Sequence, residues 1–356
     1  MATDKDHSKH EIKMSLPPYE SSKGNEGYPE DVKKSGPPDD VKSSGLPAYD
    51  QEYGLPEGPN FVRREFIFCN MHWSTDTLVF TSSDSVTKYK SFKKVPADSD
   101  NFKHVLDLQQ QGIGMPLMEA QFTIMPSFGN GKFVTIYKYI APPPGSGRLF
   151  DKKIDRYKFC SVRKKAGPHY SRYTFTILPK PENPSETFEF SIFFHSKLPI
   201  ADVTKFDDSG QRYRWVHSEY HALMLNFTYS LYSLDEHQTS MIDNMDAESQ
   251  KLNKKNPLVN SSLGQLFKFE STTIKDEYLS LVKSGELIHL KEKIMITSYQ
   301  ETAKLLLHIE RSSHSTGLEN VNSVELHELI NICMSFVIKR REELRIESAR
   351  ATVSNA

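Results

Sequence analysis

The sequence has little cysteine, no long apolar run and almost no net charge. Its three cysteines, Cys69, Cys160 and Cys333, are far apart and form no CxxC pair, which excludes a disulfide framework and a zinc knuckle built on paired thiols. A reducing compartment suits them. Lys and Arg number 45 against 46 Asp and Glu, a formal charge of −1, so attraction to a polyanion must come from a local patch rather than from the whole chain. No stretch reaches the roughly 20 apolar residues of a membrane-spanning helix; the longest, residues 330–338, is broken by Asn331 and Ser335. The opening residues, MATDKDHSKHEIK, are charged throughout and lack the apolar core of a secretory signal. These absences point to a cytoplasmic protein, with peripheral membrane attachment left open, and they make the sequons at Asn226 and Asn260 inert.

Catalytic signatures are missing as well. Residues 128–133, FGNGKF, carry the glycines of a hairpin turn but not the GxxxxGK[ST] spacing that cradles phosphates. No GxSxG elbow occurs, and Cys160 has no assigned base. His217 and His221 stand four apart between strand-like segments, where that spacing does not converge on a metal, and a third ligand is lacking. The expectation is a non-enzymatic protein without metal or cofactor and with no nucleic-acid partner.

Residues 1–60 are poor in aliphatic residues and dense in Pro, Gly, Ser, Lys and acids, so they cannot bury enough surface to offset the entropy of ordering. They read as a disordered tail. Seven lysines against twelve acids make the tail acidic and leave the remainder net basic. PEDVKKSG at 29–36 returns as PDDVKSSG at 38–45, two copies being too few for a solenoid.

From residue 61 the composition turns aromatic and β-branched with period-two alternation, the signal of half-buried strands. Segments 62–69, 76–80, 133–140, 173–177, 188–194, 212–215, 223–229, 293–297 and 305–310 fit it. The 133–140 strand ends at Pro142-Pro143-Pro144-Gly145, which cannot continue a ladder. Residues 236–265 are polar and read as a loop insertion, followed by a short helix at 276–283. Near the end, Asn322-Ser-Val-Glu325 has the form of a capping box, and residues 326–344 follow without Gly or Pro. Leu329, Ile330, Ile332, Cys333, Met334, Phe336, Val337 and Ile338 point in nearly every direction round that helix. A helix apolar on all sides must be enclosed on all sides. Lys339, Arg340 and Arg341 then fall on its final turns, where the dipole favours cations and water is reached. The reading is mainly β: a barrel over 61–345 threaded by its last helix, with a disordered tail at 1–60 and a disordered end at 346–356.

This arrangement resembles the tubby C-terminal-like domains common in fungi, relatives of the LURP-one and scramblase-like barrels. The resemblance lies in Asp208-Ser-Gly-Gln-Arg-Tyr-Arg-Trp215, the 223–229 and 305–310 strands, and the terminal helix running into Lys339-Arg340-Arg341. It implies a β-barrel round a central hydrophobic helix, and binding, sometimes of phosphoinositides or other lipids, rather than catalysis.

The tail carries LPPYE at 16–20 and LPAYD at 46–50. LPxY followed by an acid resembles the ligands of WW domains, particularly those of HECT-type ubiquitin ligases. Proline presets the extended left-handed helix, so docking costs little entropy; aromatic grooves take the Leu-Pro pair and a second pocket takes the Tyr ring. Leu16, Pro17, Tyr19, Leu46, Pro47 and Tyr49 form the contact set, with Glu20 and Asp50 meeting a basic rim. Thirty flexible residues reach roughly 30 Å, enough to engage two WW domains and raise avidity by about 10²-fold. The plainer alternative is that Pro and Tyr merely punctuate a solvated tail.

Residues 156–173 interleave cations with aromatics. Arg163, Lys164 and Lys165, read as lying on a loop between strands, are candidates for meeting anionic lipid head groups, against the plainer reading of a solvated turn; residues 88–94, KYKSFKK, pose the same choice. Three functions follow: an adaptor joining a WW-domain ligase to a membrane lipid or membrane-protein cargo, a lipid sensor or scaffold whose tail is only a spacer, and an arrestin-like trafficking adaptor, against which the enclosed helix argues.

Overall fold

A computed structural model describes residues 61–71, 76–123, 130–167, 169–206, 210–217, 227–246, 248–259, 283–290, 299–310 and 320–354. Both LPxY motifs, the 293–297 strand, His221 and most of the expected 276–283 helix lie outside them. Twelve antiparallel strands form a meander: β1 (Phe61–Asn70), β2 (Thr77–Phe80), β3 (Met118–Phe122), β4 (Asn130–Tyr139), β5 (Arg156–Ala166), β6 (Tyr170–Ile177), β7 (Phe188–His195), β8 (Ile200–Val203), β9 (Arg212–His217), β10 (Thr228–Leu234), β11 (Lys283–His289) and β12 (Gln300–Glu310). Each pairs with the next, and β1 pairs with β12 from Val62 opposite Ile309 to Asn70 opposite Gln300. That last pairing closes a barrel and removes the sheet edges.

Helix α3 (Leu326–Ser354) fills the barrel. Ile332, Cys333, Met334, Phe336, Val337 and Ile338 are all 0% exposed, as a helix apolar in every direction requires. β1 runs beside it in the same direction. Arg64 donates to Glu328 at 3.0 Å near the start, Phe68 meets Phe336 edge-on at 5.1 Å, and Lys339 donates to Asn70 Oδ1 at 3.0 Å. The helix start differs from the expected capping box: Glu328, not Asn322, supplies it, its carboxylate accepting from Glu325 N at 2.8 Å, while Ser323 is taken up by Arg64. The helix also runs past residue 345 to Ser354. Lys339 is therefore not on a final turn in water but buried, ion-paired with Glu343 one turn on.

Two helices go beyond the sequence reading. Helix α1 (Ser83–Phe92), capped by Ser82 Oγ accepting from Ser85 N, and α2 (Asn101–Gln110) lie in the β2–β3 connection. Residues 88–92 of the basic KYKSFKK stretch thus belong to a helix whose Tyr89 is buried against Phe80 and Tyr299.

The stretch read as a polar insertion is a strap with its own apolar core. Met241, Leu252 and Val259 pack with Phe193, Leu198, Ile200, Val216 and Leu234 in a second cluster of buried residues. Asp202 latches it. Its carboxylate accepts from Arg214 Nε at 2.5 Å and Nη2 at 2.9 Å, from Ser240 Oγ at 2.7 Å and from Met241 N at 2.6 Å. Four donors satisfy a fully buried charge, the condition for burying one at all.

Candidate functional site

At the mouth where α3 leaves the barrel, Glu342 is the centre of a buried ionic node. It accepts from Tyr229 Oη at 2.9 Å, Arg345 Nε at 2.6 Å and Arg341 Nη1 at 2.5 Å. Burial pushes its carboxyl up, but the Arg341 and Arg345 charges and the hydrogen bonds of Arg345 and Tyr229 outweigh that and hold it below the ordinary carboxylate range. Arg341 also lies over the Phe194 ring at 4.6 Å. His195 and His217 stand beside the node, each lowered to about 4, chiefly by burial. His195 Nδ1 accepts from Lys197 N and Leu198 N at 3.0 and 2.7 Å, a role open only to the neutral ring. The pocket here holds about 110 Å³. Glu342 answers both arginines that line it.

The three cations singled out in the sequence lie on strand β5, not on a loop, and alternation divides them. Arg163 and Lys165 face outward, whereas Lys164 turns inward over the Tyr173 ring at 5.8 Å, where burial and the Arg341 charge lower its pKa. Register adds two residues missed in the sequence. Lys132 of β4 stands directly opposite Arg163, and Arg172 of β6 directly opposite Lys165. All four therefore share the outer face.

They line one groove of about 390 Å³, together with Lys164, Glu189 and Gln250 among others. Arg163 meets Glu189 at 3.2 Å in an exposed pair, and among the described residues Lys132 and Lys165 have no ion-pair partner. Directly opposed residues are where a sheet is most sensitive to charge: an opposite-charge pair is worth roughly 0.2–1 kcal/mol, and like charges are destabilising. Two adjacent like-charge pairs thus work against the stability of β4–β6. An anionic ligand would remove that repulsion. The signal was present in the sequence, since folding residues 156–177 as a hairpin about 166–170 sets Lys165 against Arg172.

No helix among the described residues is long and apolar enough to cross a membrane, and no group of three His, Cys, Asp or Glu among them could hold a metal ion. A family model described as DIA1 matches residues 60–347, most of the chain and the whole barrel. No curated protein and no solved structure gives a significant match.

Proposed function

We propose that this chain, which belongs to the DIA1 family through residues 60–347, is a non-enzymatic cytoplasmic adaptor. Its LPxY motifs recruit the WW domains of a HECT-type ubiquitin ligase, and its barrel meets an anionic membrane surface through the outer groove. One observation carries the barrel's part: Lys132 faces Arg163 and Lys165 faces Arg172, with a single carboxylate, Glu189, in the groove they line. Each basic residue near an anionic membrane adds about 1 kcal/mol of attraction. The filling of the barrel by α3 supports binding on the outside of the wall rather than within it. From the tubby-like resemblance we take the same idea of a binding module. The tail's part is supported by Leu16, Pro17 and Tyr19 and by their repetition as Leu46, Pro47 and Tyr49, since two linked ligands gain avidity that one cannot. A second reading, a lipid sensor without ligase recruitment, keeps the groove and dispenses with the tail; the charge pairs favour it equally.

Co-flotation separates these parts. Isolated WW domains should float with phosphatidylserine vesicles only when the chain is present. Tyr19→Ala/Tyr49→Ala should leave the chain on the vesicles and drop the WW domains, and Lys132→Glu/Lys165→Glu should release both. WW domains retained by the tyrosine variant would end the ligase reading. A chain that floats undiminished after the charge reversal would end the groove reading.

A further inference from the structure

We infer that Gln250 gates the outer groove: it occupies Arg172 as a neutral part of the same chain, in the place that an anionic group of the ligand takes on binding. The inference rests on the groove being the anion site proposed above. Arg172 Nη1 donates to the Gln250 side-chain oxygen at 2.7 Å and to its backbone oxygen at 3.3 Å. Arg172 Nε is buried without an acceptor among the described residues. A guanidinium presents five donors in a planar fork, and here both contacts fall on one nitrogen. A carboxylate or phosphate takes the fork at two points with charge-assisted bonds, about twice as strong as neutral ones. Gln250 is the weaker of the two occupants.

The way Gln250 is held suits displacement. Its φ is +49°, in the left-handed region that residues other than glycine rarely adopt. It lies on an exposed turn in which Asp246 N donates to Lys251 O at 3.1 Å and Asp246 Oδ1 accepts from Glu248 N and Ser249 N. The strap is fastened on either side of this tip, by Ser240 and Met241 on Asp202 before it and by the packed Leu252 and Val259 after it, so the tip can leave Arg172 while the strap stays fastened. The ligand class follows from the neighbours. Lys132, Arg163 and Lys165 flank Arg172 on strands about 4.8 Å apart, so a ligand with more than one anionic group answers them better than a single carboxylate. A phospholipid head group and a free polyphosphate share that chemistry.

The test compares wild type, Gln250→Ala, Gln250→Glu and Lys132→Glu/Lys165→Glu in binding to phosphatidylcholine vesicles with and without phosphatidylserine, and to inorganic tripolyphosphate. Removing the internal competitor should tighten binding roughly threefold to tenfold, the worth of one net hydrogen bond, and Gln250→Glu should weaken it by at least as much. Enhancement with vesicles alone identifies the head group as the ligand; enhancement with tripolyphosphate as well identifies the phosphate chemistry. Binding that disappears on charge reversal but is the same for wild type, Gln250→Ala and Gln250→Glu would overturn the gate and leave the groove standing. Binding to neither probe by any of the four would overturn both. Circular dichroism of the exposed-site variants checks that each is folded.

Discussion

The ring of Phe336, in the first half of α3, meets that of Phe68 on β1 edge-on with centroids 5.1 Å apart, and both are fully buried. This contact joins the plug to the wall it fills, and truncation leaves a void that surrounding strands cannot close. Phe336→Ala should cost about 3–5 kcal/mol, read as a lower urea midpoint with an unchanged slope. A cost under about 1 kcal/mol would mean that the wall does not enclose the helix there.

Asp202 accepts four hydrogen bonds, two from Ser240 and Met241 of the strap and two from Arg214 of β9, which is buried with it. Asp202→Ala leaves the guanidinium without its counter-charge, a loss of about 3–5 kcal/mol for a buried pair broken on one side. Ser240→Ala, which removes one of the four bonds, should cost about 1 kcal/mol. Hydrogen exchange over residues 239–259 should rise steeply in the first variant and slightly in the second.

Acid should loosen the mouth of the barrel in two stages. His195 and His217 have pKa values lowered to about 4 by burial, against about 6.5 unfolded. The unfolded chain therefore binds protons first, so the histidine contribution is complete above pH 6.5 and is lost as pH falls from there through 4. His217 is faced by Glu342, Arg341 and Arg345, and His195 by Lys197, His169 and Asp202. Glu342 and Glu343, both held below the ordinary carboxylate range against the pull of burial, add a second loss below about pH 4.5. Urea unfolding at a series of pH values should show the first stage flatten in His195→Gln, and a profile level from pH 7 to 5 would contradict the assignment.

The helix was legible because residues 329–338 leave it no polar side, and a closed wall is what such a helix requires. Strand β8 was not: Ile200-Ala201-Asp202-Val203 is four residues long and buried on both faces, so no alternation marks it. Helices α1 and α2 were hidden for the opposite reason, each burying few apolar side chains, Val86 and Tyr89 in one and Val105 in the other. The groove was half legible. Arg163 and Lys165 stand out in sequence, but their partner Lys132 depends on register, and β4 shifts register against β5 between Lys132 and Val134 and again between Ile136 and Tyr137. Gln250 gives no signal before the strap folds over the barrel.

Lys132→Glu turns the like-charge pair with Arg163 into an attractive one, and it tests most directly whether those cations serve a ligand rather than the fold. Measured on one preparation at low salt, the unfolding midpoint should rise, by up to about 1 kcal/mol in stability, while flotation with phosphatidylserine vesicles falls. A variant that is less stable than wild type and floats as well as wild type would show the four cations to be a feature of packing, and the groove would lose its ligand.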